Sequence, residues 1–360
     1  MTLADSILPV TAGSLLTASQ MVLAFFGVLF LGARFLPGLE RSGYPEKDGT
    51  TRDYKLTGMT LFFVSHVAVG ALVFGLGVSL TPVVRHFWSL FVVANVLSLA
   101  IGVALYARGP HERPVPVDFW LGVEKNPTWL GVDLKMFMYQ PSLIGVNVLV
   151  VAFANAQHDL YGRLTPQMVC LLGFWWAYLF THYVKEEFML STWDIISEDF
   201  GFMLVWGDLV YVPFLYSLPC WWLVDETTPF PTFAWALLSL LCFGCLWVFR
   251  EANWQKERFK RTPSAVIWGK KPELVGGRLL ASGWWGIGRH LNYTGEVGVY
   301  CCFALTTGFA HPWPYLLPLS LLTLLGQRAS RDDRKCSAKY GETWTSYCAR
   351  ARFRMIPFVY

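Results

Sequence analysis

Long apolar runs separated by short polar stretches dominate the chain. A membrane-crossing helix needs about 20 mostly apolar residues. Runs near that length lie at residues 14–36, 57–80, 86–107, 142–156, 166–183, 201–223, 231–249, 284–309 and 312–326. The pattern predicts an all-α polytopic membrane protein with about ten transmembrane helices, counting one of these runs as broken. The run at 142–156 is short, so a partly re-entrant segment is expected there. One integral-membrane domain is expected over 1–360. Residues 1–183 would supply helices and polar loops, and residues 184–360 the half that carries the chemistry.

Composition supports this class. The chain is 54% hydrophobic and 15% charged, whereas soluble domains carry about 25% charged residues. A soluble protein of 360 residues could not cover its surface with so few charges. The connections 37–56 and 108–135 are polar and rich in turn formers, as loops at a membrane surface require. Most of the eight cysteines fall inside apolar runs and no paired CxxC spacing suits zinc, so neither a zinc site nor a disulfide framework is expected. The first residues lack a basic segment and a small-residue cleavage site, so no signal peptide is expected.

Charge is unevenly placed. Residues 250–278 carry eight Lys or Arg against three acidic residues, and 328–360 repeat those numbers. Both clusters flank apolar runs, which favours the positive-inside rule over nucleic-acid binding. Both should face the cytoplasm, and the two runs between them return the chain to the same side.

Candidate chemistry gathers in three places. Segment 184–208 holds Glu186, Glu187, Asp194, Glu198, Asp199 and Asp208 beside or inside apolar sequence. Ionisable groups there are costly and normally face a cavity or a partner. Asp194 and Asp208 read as site-building, and the other four more simply as helix-end or ion-paired carboxylates. Tyr178 and Tyr183 precede this segment and could donate a proton if a neighbour polarises them. Five residues apart on a helix, they should not share a face. Next, Arg289, His290, Asn292 and Glu296 interrupt the apolar stretch at 282–296, a grouping suited to an anionic or highly polar ligand. Finally, Arg328, Arg331 or Asp332, and Lys335 recur at helical spacing and would line one face, as binding of phosphates requires. A solvated basic helix at the membrane surface is the plainer alternative. GxGxxG, Walker A and HExxH patterns are absent, so a nucleotide would have to be held by side chains at the end of the bundle.

Five ordered strings resemble the sterol reductase family: LSTWDI at 190–195, FGFMLVWGDLVYVPFLYS at 200–217, FREANWQKERFK at 249–260, LLASGWWGIGRHLNYTGE at 279–296 and RDDRKCSAKYGETWTSYC at 331–348. Weaker likeness lies at 54–58 and 118–137, so the resemblance spans most of the chain. That family includes sterol Δ14-reductase, sterol Δ24(28)-reductase, 7-dehydrocholesterol reductase and the lamin B receptor. The resemblance implies NADPH bound at the cytoplasmic side by Lys256, Lys260, Leu280, Trp285, Arg289, Asn292, Arg328, Asp332 and Tyr340. It implies a sterol substrate, with no metal and no nucleic acid. The membrane would be the endoplasmic reticulum in a eukaryote and the inner membrane in a bacterium. FGFMLVWGD, together with VIWGK at 266–270, resembles the Δ14 enzymes more than 7-dehydrocholesterol reductase, and the Δ24(28) enzymes share much of the same string, so the resemblance implies reduction of C14=C15, with the Δ7 or Δ24(28) bond as the alternative. Lys260 stands where relatives often carry Arg, and Leu291 where they carry Pro.

Reducing an isolated double bond needs protonation to a tertiary carbocation and then hydride addition, in a site that excludes water. Tyr178 and Tyr183 are the candidate acids, Glu186 and Asp194 the candidate polarising partners, and Asp208 a further site-building carboxyl. Rival readings are an S-adenosylmethionine-dependent isoprenylcysteine-type methyltransferase, which would leave LSTWDI and FGFMLVWGD unexplained, and a non-catalytic sterol-binding protein. The charge pattern yields a first prediction. Reporters fused after Tyr360 or inserted within 262–278 should read as cytoplasmic, and a lumenal or periplasmic signal from either would overturn the assignment.

Overall fold

Lipid offers backbone amides no hydrogen-bonding partner, so apolar runs that cross it pair their amides internally as helices. The computed structural model describes residues 2–45, 49–226 and 230–359. It divides into two compact units, residues 1–228 and 229–360.

In the first unit α1 (Ala12–Phe35) starts from Thr11, whose side chain caps the helix in a reciprocal pair with Ser14. A hairpin of β1 (Leu39–Ser42) and β2 (Asp53–Leu56) leads to α2 (Gly58–Gly70), which continues as a π-helical turn over Ala71–Gly75. Then come α3 (Thr81–Arg85), α4 (Phe87–Tyr106), α5 (Val115–Leu121) and the two-residue strands β3 (Thr128–Trp129) and β4 (Val132–Asp133). α6 (Leu134–Tyr161) and α7 (Pro166–Val184) follow, then α8 (Trp193–Ile196), α9 (Phe202–Trp206), a π-helical segment Gly207–Leu215, and α10 (Cys220–Leu223). The second unit contains α11 (Thr232–Arg261), the hairpin β5 (Leu274–Val275) with β6 (Leu279–Leu280), α12 (Trp284–Ile287), α13 (Leu291–Leu305), α14 (Leu316–Tyr340) and α15 (Glu342–Arg350).

Six stretches among the described residues have the length and hydropathy of a membrane span: α1, α2 with its π turn, α4, α6, Phe202–Leu223 and α11. α7, α13 and α14 occupy the remaining expected places. Two expectations are corrected. The run at 142–156 is neither short nor re-entrant: it is the middle of the 28-residue α6. Hydropathy dips there because α6 carries Lys135, Gln140, Asn147 and Gln157, all of which are buried. The run at 284–309 is split: the short α12 ends at Ile287, and the long helix begins only at Leu291. Residues before it hold glycines and the buried Arg289 and His290, and Gly283 turns the chain at φ 57°.

α6 is the pillar of the first unit. It touches α1, α2, α3, α7, α10 and the π segment, and its polar side chains each engage a different neighbour. Lys135 Nζ donates to the carbonyls of Asp194 (2.7 Å) and Glu198 (2.6 Å). Gln140 donates to Glu186 at 3.0 Å, Asn147 meets His66 at 3.0 Å, and Gln157 donates to the Leu223 carbonyl at 2.6 Å. By contrast α1 turns Leu16, Leu23, Leu31 and Phe35 outward, as a lipid-facing helix does.

The polar connections gather at the unit's two ends. At one end Arg41 pairs with Glu187 (3.0 Å), Arg52 with Asp133 (3.1 Å) and Arg113 with Asp118 (2.7 Å) and Asp199 (3.1 Å). At the other, Ser79 and Thr81 donate to Asp159, while Tyr161 and the Leu3 amide donate to Asp225.

In the second unit α11 and α13 form the closest helix pair, and glycine makes the approach possible. A Cβ on Gly295 would lie 2.6 Å from the Phe249 nitrogen and 2.8 Å from the Cys245 oxygen, both fixed backbone. Small residues that let two backbones approach are a common device in membrane helix pairs. Gly295→Ala should therefore lower thermal stability in detergent, by about 1–3 kcal/mol as overpacking does. Gly244→Ala, where a Cβ meets open space, should cost nothing. Equal melting temperatures for both variants would refute the close-approach account.

Candidate functional site

The chemistry-bearing residues form one cluster in each unit. In the second unit the long α11 ends in Arg258, Lys260 and Arg261, charges that complement the negative end of the helix dipole. Lys256 and Lys260 lie four apart and so share a face. Lys256 Nζ sits 4.3 Å from the centre of the Trp285 ring, a cation–π contact. Trp285 is fixed through both its ring and its backbone. Its Nε1 donates to the Ala252 carbonyl at 2.8 Å, and the Tyr347 hydroxyl donates to the Trp285 carbonyl at 3.1 Å. Leu280 packs with Trp285, Ile267 and Phe259.

Arg289 is buried and donates to the Ala351 carbonyl at 3.1 Å. Its Nε lies 3.7 Å from Asp333, whose carboxylate also accepts from Arg354 (2.8 Å) and Trp344 (3.2 Å). Asn292 donates to Asn253 at 3.0 Å, while Asn292 Oδ1 and His290 Nε2 stay buried without a partner. On α14, Arg328, Asp332, Cys336 and Tyr340 follow one another every four residues along one face. Asp332 lies within electrostatic reach of Lys256, and Tyr340 packs beside Trp344 and Tyr347. The structure thus joins Lys256 to Trp285 by contact, with Asp332 within electrostatic reach of Lys256. Lys260, Leu280, Arg289, Asn292, Arg328 and Tyr340 sit on the surrounding elements. Lys335 is exposed.

Sequence reasoning did not find Asp333. It chose the adjacent Asp332 from helical spacing, yet Asp333 is the carboxylate that collects Arg289, Arg354 and Trp344. The doubled acid in RDDRKC was the available signal: one Asp faces Lys256, and its neighbour, about 100° round the helix, faces Arg289.

In the first unit two adjoining faces of α6 organise the carboxylates. Gln140 meets Glu186, which also accepts from the Gly58 amide at 2.9 Å. Tyr183, at the end of α7, is buried, packs on Phe62, and keeps its hydroxyl without a partner. Gly58 is wedged between the two, because a Cβ there would lie 2.5 Å from both Glu186 Oε1 and the Tyr183 ring. Lys135, Tyr139 and Ser142 recur at spacings of four and three on the other face. Tyr139 reaches Asp194 at 3.4 Å, and Ser142 hydrogen-bonds Asp208, which feels the charge of Asp194. Asp208 lies in the nine-residue π-helical segment, a backbone form concentrated at functional sites. Tyr178 is buried against Trp175 (5.8 Å). The two tyrosines therefore have different surroundings, as their spacing predicts. Lys135, Tyr139, Gln140 and Ser142 were missed because they stand at the edge of an apolar run, where their polarity gives no sign of partners distant in sequence. An apolar cavity of about 170 Å³ borders Phe25, Leu90, Pro141, Gly145, Leu209 and Phe214.

Burial raises the Glu186 carboxyl from its ordinary 4.5 to about 7, against the opposing hydrogen bonds from Gly58, Gln140 and Met59. A carboxyl raised on folding favours the protonated protein. Its stabilisation is complete below the unfolded value and disappears as pH rises through about 7. The melting temperature should therefore fall between pH 4.5 and pH 7 in the parent, and Glu186→Gln should flatten that slope and melt higher at pH 8. Superimposable pH profiles for the two proteins would contradict the assignment.

The profile described as the ergosterol biosynthesis ERG4/ERG24 family matches residues 14–360. The Delta(14)-sterol reductase of Arabidopsis thaliana is 36% identical over 359 residues, 95% of this chain and 96% of that protein. The Delta(14)-sterol reductase of Methylotuvimicrobium alcaliphilum is 34% identical, covering 93% of this chain and 82% of its own. That of Dictyostelium discoideum is also 34% identical, covering 94% and 77%.

Proposed function

The chain belongs to the ergosterol biosynthesis ERG4/ERG24 family of membrane sterol reductases, and from that premise we propose that it reduces the C14=C15 bond of a sterol with NADPH, by protonation and then hydride addition. The observation that carries this reading is the extent of likeness to proteins named Delta(14)-sterol reductase, which covers nearly the whole chain.

The second unit fits the proposed cofactor. Lys256, Lys260 and Arg328 offer positive charge to phosphates, and Arg guanidinium pairs with phosphate through two donors. Asn292 Oδ1 and His290 Nε2 are buried polar atoms that lack a partner, and such atoms are normally satisfied by a ligand or water. Asp332 balances Lys256, Tyr340 and Leu280 provide apolar surface, and Arg289 is held in place by Asp333. When bound, NADPH supplies the hydride.

The first unit fits the proton-donating half. Tyr183 is the preferred acid, because its hydroxyl is uncommitted and Glu186 lies beside it. Tyr178 is the alternative donor. Glu186 can return a proton to Tyr183, and Asp194 with Asp208 forms a second acidic pair across Ser142 and Tyr139. The apolar cavity offers a dry surface to hydrocarbon.

Loop charge places this chemistry in the cell. Residues 36–57, 107–133 and 185–201 carry eight Lys or Arg, whereas 1–11, 76–86, 162–165 and 224–231 carry two. The richer end of the first unit is assigned to the cytoplasm. That holds for the endoplasmic reticulum of a eukaryote and for the inner membrane of a bacterium.

The test is product analysis against a panel of sterols unsaturated at Δ14, Δ7 or Δ24(28), with cofactor titrations using NADPH and S-adenosylmethionine. Δ14 reduction with NADPH binding is expected. Turnover restricted to another bond would reassign the substrate, and binding of S-adenosylmethionine alone would reject the reductase reading. Lys256→Ala and Arg328→Ala should each weaken NADPH binding by about 1–3 kcal/mol, and unchanged affinity in both would remove these residues from the site. Tyr183→Phe should lose turnover by about 100-fold or more while still binding NADPH. If Tyr178→Phe fails in its place, the donor moves to Tyr178.

A further inference from the structure

Between the β1–β2 hairpin, the end of α1 and the start of α6 lies a second cavity, of about 130 Å³. Its lining differs from that of the apolar one. Arg34, Arg52 and Asp133 stand among its walls, and Gln140 and Glu186 also border it. Arg52 is more than one-third exposed and bonds both Asp133 and the Asn126 carbonyl, so the cavity has a hydrated ion pair on its rim. Gln140 and Glu186 are 2% and 6% exposed. Polar residues thus lead from the membrane surface to a buried carboxyl beside Tyr183.

Three buried atoms near this path lack partners. Gln140 gives its amide hydrogen to Glu186, yet Gln140 Oε1 has no donor. The Tyr183 hydroxyl and Asn126 Oδ1 are also unmatched. Buried polar atoms in a polar cavity are normally satisfied by ordered water, and this volume holds several molecules.

We infer that this cavity is the route by which protons reach Glu186 from the aqueous phase, with Gln140 positioning the last water. The inference rests on the reading of Tyr183 and Glu186 as the proton-donating pair. Tyr183 gives its proton to a sterol carbon and becomes a phenolate. The Glu186 carboxylic acid passes its proton to the phenolate and becomes a carboxylate. A proton from bulk water then crosses the cavity and restores the acid, so each turnover consumes one solvent proton. The hydride comes separately from the reductant. The value near 7 for Glu186 suits this exchange, since such a group both holds and releases a proton close to neutral pH. Gln140 is a positioning residue here, because it acts on Glu186 and water and does not touch the sterol.

Chemical rescue tests the route. Glu186→Ala opens the bottom of the cavity and should lower kcat by about 100-fold with NADPH affinity intact. Millimolar formate or azide, small acids able to enter from water, should restore a large part of the lost rate. They should have no effect on Tyr183→Phe, which lacks the final donor. Gln140→Leu, of similar volume but unable to hold water, should lower kcat by roughly tenfold without changing KM for the sterol. In the double variant Glu186→Ala/Gln140→Leu the rescue should disappear. Absence of rescue in a folded, NADPH-binding Glu186→Ala protein would overturn the route. So would a Gln140→Leu enzyme with normal kcat, and that variant decides the matter alone if Glu186→Ala does not fold. Normal turnover by Tyr183→Phe would remove the donor pair itself, a separate failure from that of the route.

Discussion

The first unit depends on one helix that is buried on nearly all sides and still carries polar side chains. Each unmatched polar group at this depth costs on the order of a few kcal/mol, so α6 can stand there only if its neighbours supply the partners. They do so one by one. Carbonyls of the 194–198 segment take Lys135, Glu186 takes Gln140, His66 takes Asn147, and the Leu223 carbonyl takes Gln157. Hydrocarbon contacts alone would let helices slide or rotate, since lipid is as apolar as leucine. Directional bonds from four heights of α6 fix rotation and depth together. Two of these positions also hold the 186–198 segment, Gln140 through the Glu186 carboxyl and Lys135 through the backbone at Asp194 and Glu198.

The second unit meets a similar demand by a different device. Its helices approach through glycine at the lipid-facing pair, and its polar end is drawn together by Asp333. That carboxylate gathers two arginines and an indole from separate segments. Arg289 is thereby held among neighbours that are already paired, while Asn292 Oδ1 and His290 Nε2 are left open. A region with well-supported walls and a few unmet polar atoms is what recognition of a charged, polar ligand requires.

The legibility of this protein in its sequence followed the range of the interactions. Apolar runs report burial or lipid contact locally, and the places of α1, α4, α7 and α14 could be read from them directly. α6 was read as short because partners far away in sequence satisfy its polar residues. The start of α13 was read too early because a hydropathy average cannot see the break at Gly288–His290 that separates it from α12. Helical spacing pointed to Arg328 and Asp332, and the ordered motifs pointed to Lys256, Trp285 and Asn292. Gln140 and Lys135 gave no such signal. Each is a single polar residue whose importance comes from what it meets 46 to 63 positions later.

The length of α11 has a consequence for the membrane around it. Thirty residues rising about 1.5 Å each extend some 45 Å, against about 30 Å of hydrocarbon. The last turns, with Lys256, Arg258, Lys260 and Arg261, therefore stand at headgroup depth. There, anionic lipids create a negative surface potential that decays within a Debye length. On the proposed reading the same cations answer to that potential as well as to a soluble anion, so the composition of the host leaflet and the ionic strength both set how readily this end of the protein accepts a phosphate.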